Sequence, residues 1–269
     1  RYPKERKDTG MVDYLYDGTF EGLLTCIYHN YYGEKASGIF PAAGYQSHML
    51  GGYKETETDE EKADRVYDAV ARRISDYDLG RIYKVFMSSA PEKENKILNY
   101  LRLGFKKGSC ISLLHGDPTV FAVQAAEKKV NNEIHRLKGL VRFSAMGSCE
   151  YPVYYSAVEP DNDVIEFLAR HFCDRFKNQA FIIHDIKRSK ALIASGGSWY
   201  ISSFFSSELP PFSEDEQKFR DLWKKYFDST AIKERTNARC QKNFMPVRYW
   251  KHLTEMQPRI DSNDQEKLP

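Results

Sequence analysis

The chain has 269 residues, of which 41% are hydrophobic and 29% charged, and its formal net charge is only +2. This composition is typical of a globular protein. A net charge this small cannot attract a polyanion to the protein as a whole. Binding of a polyanion would therefore need a local basic patch. No run of about 18 apolar residues is present, so no membrane span is expected. The five cysteines stand singly, which predicts no zinc site and suits a reducing cytoplasm.

The first part of the chain, residues 13–138, is predicted to be helical after a short N-terminal strand at Val12–Tyr16. Beyond that strand, apolar residues recur three and four positions apart, which indicates amphipathic helices. Thr58 and Glu61 have the spacing of a capping box and mark the start of one helix. The segment 38–56 is rich in glycine and proline, and it is predicted to be a loop with at most one short strand.

The pattern changes from helix to strand at residue 139. The segments "LVRFSAM" and "YPVYYSAVEP" are predicted to be two strands, a helix follows, and "AFIIHDI", "KALIAS" and "WYISSF" are predicted to be three more. This ββαβββ segment spans 139–206. Because helices and strands are segregated rather than alternating, we expect an α+β fold with a mainly antiparallel sheet.

A helical tail is predicted over 207–257. Ser213 and Glu216 form a second capping box ahead of an amphipathic stripe, and a further helix is predicted from 231 to 242. We expect one compact domain over 12–257. The polar and charged composition of 258–269 predicts a disordered end.

Signatures of nucleotide-binding and hydrolytic sites are absent from the sequence. It contains no GxxxxGK[ST], GxGxxG, GxSxG or HExxH. It also lacks the CxxxCxxC that would hold an iron–sulfur cluster for radical chemistry. We therefore predict neither a metal nor a cofactor, and no motif names a reaction.

Two histidines supply the candidate catalytic residues. His171 falls on the apolar face of its predicted helix, where a hydrogen-bonded core histidine is the main alternative to a catalytic one. Arg142, on a preceding strand, is its candidate partner. His184 and Asp185 end a strand, but neighbours in a strand point to opposite faces, so this pair needs a further partner to act as an acid–base pair.

A cationic cluster ends the long helix before residue 139. His135, Arg136 and Lys138 lie where the helix dipole favours positive charge, which is a structural explanation. The alternative is an anion or phosphate cradle that leads into Arg142. We therefore count His135 and Lys138 among the candidate nucleic-acid contacts.

The segment "RTNARCQKNFMPVRYWKHLTE" is the strongest local signal. Between Lys224 and His252 there are eight Lys or Arg residues against two acids. A helix would align Arg235, Arg239 and Lys242 on one face, with amides in a second row. Such a surface suits phosphates, while amides and aromatic rings suit bases. The alternative is a structural clasp whose aromatic residues pack into the core. The candidate contacts here are Arg235, Asn237, Arg239, Gln241, Lys242, Arg248, Tyr249, Trp250 and Lys251.

Several segments occur in the same order in one bacterial family. They are "YDGTFEGLLT", "EIHRLKGLVRF", "ARHFCDRF" followed by "FIIHD", and "LWKKYF…IKERTNARCQKNFMPVRYWKHLTE". Over residues 12–256 the chain resembles a family linked to DNA repair and DNA metabolism, whose domain is otherwise of unknown function.

This resemblance implies a link to DNA and to a radical-SAM protein of DNA modification or repair, beside which family members are encoded. In some bacteria a similar domain is fused to a uracil-DNA glycosylase-like domain. Because this chain lacks CxxxCxxC, the resemblance implies that it is the companion of the radical-SAM enzyme and not the enzyme itself. The resemblance brings no catalytic role to the residues at the family's motif positions, which are Arg142, His171, Arg235, Asn237, Gln241, Met245, Pro246, Arg248, Tyr249 and Trp250.

Three functions remain open at this point. The first is a cytoplasmic DNA-binding accessory protein that works with a radical-SAM partner. The second is an enzyme that acts on a nucleobase or a DNA end through His171 and Arg142, or through His184 and Asp185. The third is a protein–protein scaffold without nucleic-acid contact.

Overall fold

The structure is a computed structural model that describes residues 12–46, 52–147, 152–205, 209, 212–213 and 215–257. The chain divides into two compact units, which we call unit 1 (Arg1–Asn131) and unit 2 (Asn132–Pro269). The expectation of one domain over 12–257 stays a prediction. The segment 258–269, predicted to be disordered, lies outside the described residues.

Unit 1 contains a three-stranded parallel sheet. Its strands are β1 (Val12–Tyr16), β2 (Ala36–Pro41) and β3 (Gly52–Glu55), in the order β2-β1-β3. The strand predicted at Val12–Tyr16 is confirmed. The loop predicted over 38–56 is wrong, because β2 and β3 flank β1 on either side. The helices are α1 (Phe20–Tyr32), α2 (Glu60–Arg73), α3 (Asp76–Phe86), α4 (Lys93–Lys107) and the first part of α5 (Pro118–Leu140), and a 3-10 helix covers Gly108–Leu113.

Gly38 of β2 lies against a neighbouring aromatic side chain. A Cβ at Gly38 would lie 2.5 Å from the ring of Phe40, so a larger residue at this position would require that ring to move. Pro41 ends the strand, where proline is tolerated. The residues that indicated a loop therefore belong to a strand.

The start of α2 differs from the predicted capping box. The side chain of Asp59, not Thr58, accepts a hydrogen bond from the backbone N–H of Lys62, at 3.0 Å. Thr58 instead donates its hydroxyl to Asp17, at 2.8 Å. Asp59 is a better cap because a carboxylate also interacts favourably with the helix dipole.

A buried polar network lies in unit 1 around Arg81, whose side chain is 5% exposed. The guanidinium donates to Asp78 at 2.8 Å and to Glu127 at 2.7 Å. It also donates to the hydroxyls of Tyr100 and Ser112, which in turn donate to Asp78. Burial opposes the charge of Arg81, but hydrogen bonds to Glu127 and Tyr100 outweigh it and raise the arginine pKa. The network therefore satisfies each of its buried charges.

Unit 2 contains a mixed five-stranded sheet in the order β4-β5-β6-β7-β8. The expectation of a mainly antiparallel sheet is wrong, because β5 and β6 are parallel. The helix between them returns the chain to the end of the sheet at which β5 begins, so that β6 runs in the same direction. The ββαβββ order is as predicted. The elements are β4 (Ser144–Met146), β5 (Val153–Val158), α6 (Ile165–Phe176), β6 (Phe181–Asp185), β7 (Lys190–Ser195) and β8 (Ser198–Ser203).

The tail of unit 2 forms helices α7 (Glu216–Thr230) and α8 (Ala238–Phe244). The capping box of Ser213 and Glu216 is wrong, because the Glu216 carboxylate accepts from the backbone N–H of Ala145 instead. The helix predicted from 231 to 242 is divided, because the Asn237 side chain caps a new helix by accepting from the N–H of Cys240. Short 3-10 helices cover Lys233–Arg235, Val247–His252 and Thr254–Met256. Among the helices of the described ranges, none has the length and apolar character needed to cross a membrane.

Candidate nucleic-acid interface

A pocket of about 640 Å³ opens in unit 2 beside the end of α5, strands β4 and β5, α6 and α7. Its wall combines aromatic rings with cationic side chains, and we call it the aromatic pocket. The rings are those of Phe143, Tyr154, Phe172, Phe176, Phe219 and Trp223, and the cations are Lys138, Arg142, Arg175 and Arg220.

The inner rings of the aromatic pocket are packed against one another. Phe143 meets Phe172 and Phe176 edge to face, with ring centroids 5.3 and 4.6 Å apart. Phe172 and Phe176 lie four positions apart on α6, so they share one face of the helix. By contrast, Phe219 on α7 is 63% exposed. The pocket therefore has a rigid floor of rings and an open side that a planar ligand can reach.

Two of the four cations are held by carboxylates of the same unit. Arg142 forms a bidentate pair with Glu255, at 2.7 and 3.2 Å, and its guanidinium lies over the ring of Trp223. Arg220 pairs with Glu216, at 3.0 Å. A bidentate pair fixes the Arg142 guanidinium in one orientation, and Arg220 also donates to the Ser144 hydroxyl at 2.8 Å. These two arginines therefore shape the wall.

Lys138 and Arg175 differ from them, because neither forms an ion pair within the ranges that the structure covers. Lys138 lies in the last turn of α5 and is half-buried, and Arg175 is exposed in the last turn of α6. Their charges are not neutralised by a neighbouring carboxylate. They remain available to an anionic group at the mouth of the aromatic pocket.

A smaller polar pocket of about 130 Å³ adjoins the aromatic pocket and shares Arg142, Arg220 and Thr254 with it. Lys251 and His252 also line it, and both contact the carboxylate of Glu159. Burial, then the charge of Lys251, lowers the pKa of His252, although Glu159 opposes this. Because its basic side chains all contact carboxylates of the same unit, the polar pocket carries little free positive charge.

His171 lies on α6 beside the aromatic pocket and does not line it. Its Nε2 atom is buried and has no hydrogen-bond partner in the described part of the chain. Burial, with the nearby charges of Lys138 and Arg175, lowers the pKa of this imidazole. Of the candidate pair His171 and Arg142, the structure places only Arg142 in the wall of the pocket.

His184 and Asp185 are both buried and have separate partners. The Nδ1 atom of His184 lies 2.9 Å from the hydroxyl of Tyr155. Asp185 pairs with Arg188 at 2.7 Å. Burial lowers the pKa of His184. These contacts give each residue a structural role, and neither residue lines the aromatic pocket or the polar pocket.

Much of the predicted tail surface clasps the fold. Tyr249 is 3% exposed and donates its hydroxyl to Glu133 at 2.6 Å. Arg248 pairs with Glu133 at 3.3 Å and with Asp161 at 2.8 Å. Trp250 donates to the carbonyl of Met245, and Lys251 pairs with Glu159.

Glu133 is the centre of this clasp. Its side chain is 3% exposed, and its carboxylate also accepts hydrogen bonds from the backbone N–H groups of Asp161 and Asn162. Burial alone would raise the pKa of Glu133, but the hydrogen bonds from Tyr249, Asn162 and Asp161 outweigh it and lower the pKa. The sequence contains a signal for this residue: a carboxylate three positions after Val130 and four before Leu137, on the buried face of α5.

Three of the remaining candidates are exposed cations of the tail. Arg235 ends a 3-10 helix, while Arg239 and Lys242 lie on α8, and none of the three forms an ion pair in the structure's described ranges. Asn237 serves as the cap of α8. The other two candidates are Gln241, which is half-buried, and His135, which is exposed on α5.

The fold and pocket define a mixed α/β protein with a cation-rimmed aromatic pocket. Among the residues that the structure describes, no group of His, Cys, Asp and Glu is arranged to hold a metal ion. The family model "Domain of unknown function (DUF4130)" matches residues 91–255, which is more than half of the chain, and the chain belongs to this family. All the residues that line the aromatic pocket lie within the match. No curated protein and no solved structure matches the chain.

Proposed function

We propose that the chain binds single-stranded nucleic acid and that the aromatic pocket holds one unstacked base. The observation that supports this proposal is the combination of an open ring, Phe219, with the unneutralised cations Lys138 and Arg175 at one pocket. Single-strand binding sites join aromatic platforms with cationic tracks in this way. The function is then that of a DNA-binding accessory protein in DNA repair or modification.

The aromatic pocket suits both parts of a nucleotide. A base has the planar faces that stack on rings, and the pocket is large enough for it at about 640 Å³. A phosphate can pair with Lys138 and Arg175, which form no ion pair within the described ranges. A base in a duplex has to be extruded first, at a cost of a few kcal/mol. We therefore expect single strands to bind more tightly than duplexes.

The partner and the compartment are parts of the same proposal. The resemblance described above supports a radical-SAM protein of DNA modification or repair as the partner. The sparse single cysteines support a cytoplasmic location. The exposed Arg235, Arg239 and Lys242 are proposed as further phosphate contacts.

One observation favours a second candidate, an enzyme that acts on a nucleobase. His171 lies next to pocket residue Phe172 on α6, its Nε2 atom has no hydrogen-bond partner in the described part of the chain, and histidine is the commonest general acid or base. Incubating the chain with oligonucleotides that carry damaged bases tests this candidate. Product that disappears in His171→Gln supports it, and no product from any substrate contradicts it.

The binding proposal predicts a salt-dependent affinity that Arg175 helps to set. Fluorescence anisotropy with a labelled single strand should give a logarithm of affinity that falls linearly with the logarithm of salt concentration. In Arg175→Gln we expect a slope smaller by about 0.7, because one phosphate contact is lost.

Arg170→Gln is the matched control, because Arg170 is also exposed on α6 and does not line the aromatic pocket. This variant should keep the wild-type slope. Absence of binding at low salt, or binding that salt does not affect, would contradict the proposal and favour a protein–protein scaffold.

A further inference from the structure

A second groove lies in unit 1, and none of its lining residues is among the candidate site residues of the sequence analysis. It has a volume of about 610 Å³ and lies along α1, α2 and the end of α4. Four aromatic residues and three arginines line it, and we call it the tyrosine–arginine groove. These residues are Tyr28, Tyr31, Tyr32, Phe105, Arg65, Arg72 and Arg73.

The rings of this groove are arranged with faces and edges toward the open side. Tyr28 and Tyr32 are stacked, with centroids 4.5 Å apart, and Tyr32 is 74% exposed. Tyr31 meets Phe105 edge to face, at 5.4 Å, and is itself 44% exposed. An exposed ring that already stacks on a second ring offers its other face to a planar ligand.

The arginines add positive charge with little neutralisation. Arg65 lies over the ring of Tyr28 and Arg73 over the ring of Phe105, at 5.6 and 5.5 Å from the centroids. Neither forms an ion pair within the described ranges. Arg72 pairs with Asp68, the one acid in the lining, in an exposed contact of a kind that contributes little energy. The groove therefore carries a net positive charge.

From these observations we propose that the tyrosine–arginine groove is a second binding surface for single-stranded nucleic acid. Bases stack on Tyr31 and Tyr32, and phosphates pair with Arg65 and Arg73. The inference concerns other residues than the aromatic pocket, but it rests on the ligand class of the proposed function.

The lining of the groove suits a polyanion with planar groups better than it suits a protein partner. Tyrosine and arginine are also frequent at protein interfaces, where they surround apolar anchors. Here the aliphatic side chains of the lining are only Val66 and Ala69, and Val66 is buried. The groove therefore offers charge and ring faces rather than a socket for an apolar anchor.

Photocross-linking of the full chain tests this inference. The probe is a single strand of about 12 nucleotides, within the usual range of site sizes, that carries 5-iodo-deoxyuridine. We expect cross-linked peptides that contain Tyr31 or Tyr32. The double variant Tyr31→Ala with Tyr32→Ala should lose this cross-link and weaken binding by about fivefold or more.

Tyr67→Ala is the control, because Tyr67 is 47% exposed on α2 and does not line the groove. It should keep the cross-link and the affinity. Arg65→Gln should also weaken binding, which guards against a folding defect in the tyrosine variant.

The position of the cross-links separates this inference from the proposed function. Cross-links confined to peptides of the aromatic pocket would overturn the inference and leave the proposed function standing. Cross-links confined to peptides of the groove would support the inference and contradict base binding in the aromatic pocket. An acidic peptide that binds the groove while the oligonucleotide does not cross-link there would overturn the inference in favour of a protein partner.

Discussion

Replacing Glu133 with alanine is expected to lower the free energy of unfolding of unit 2 by about 3 kcal/mol, because buried donors lose a charged acceptor. Tyr249 and the backbone N–H groups of Asp161 and Asn162 would then point at an apolar methyl group. All three tryptophans, Trp199, Trp223 and Trp250, lie in unit 2, so urea unfolding followed by tryptophan fluorescence reports this change.

The same carboxylate should make the stability of unit 2 depend on pH. Because the folded-state pKa of Glu133 is below the ordinary value of 4.5, its contribution is complete above that value. It is lost as the pH falls through the folded-state pKa. Glu133→Gln should therefore flatten the loss of stability in acid. Glu234→Ala, which replaces an exposed glutamate, is the control for Glu133→Ala. An equal loss of unfolding free energy in the two alanine variants would contradict the clasp.

Replacing Arg81 with methionine is expected to cost about 3–5 kcal/mol in unit 1, because it removes one partner of a buried ion pair. Asp78 would be left buried without its cation, and Glu127 would keep only the more distant Lys84, at 3.9 Å. Hydrogen exchange of the α3 and α5 amides, read by mass spectrometry, measures the loss of protection.

Arg72→Met is the matched control for Arg81. Arg72 forms an exposed pair with Asp68, and its side chain is 79% exposed. Surface changes of this kind alter stability by about 0.5 kcal/mol or less. Protection that is unchanged in Arg81→Met would show that the buried network does not stabilise unit 1.

The local elements of the fold could be predicted from residue patterns, but the sheets could not. The spacing of apolar residues marks the strand at Val12–Tyr16 and the order of elements in unit 2. Strand pairing depends on contacts between distant residues. Gly38 lies in β2 with the ring of Phe40 against it, whereas the glycine content of the segment alone indicated a loop.

The candidate site shows the same division between local and distant information. The basic and aromatic tail was a real signal, but Tyr249 reaches Glu133 across 116 positions of sequence, which no local pattern reveals. The aromatic pocket gathers rings from several elements. Phe219 belongs to the apolar stripe of α7 that the sequence showed. A stripe with helical spacing predicts packing into the core, but Phe219 is 63% exposed.

The structure therefore divides the tail between two roles. Tyr249 is buried against Glu133 and Trp250 donates to the carbonyl of Met245, while Arg235, Arg239 and Lys242 are on the surface. The site that best suits a base is the aromatic pocket, which lies largely before the tail in sequence. This shifts the proposed base contact from Tyr249 and Trp250 to Phe219 and its neighbours.

The most direct test of the proposed function compares the affinity of the chain for a single strand with its affinity for an abasic strand of the same length and charge. The wild type and the Phe121→Ala control, whose phenylalanine is 64% exposed, should prefer the base-containing strand by about fivefold or more. Phe219→Ala should lose much of this preference. Equal affinity of the wild type for the two strands, or a preference that Phe219→Ala leaves unchanged, would contradict a base-binding aromatic pocket.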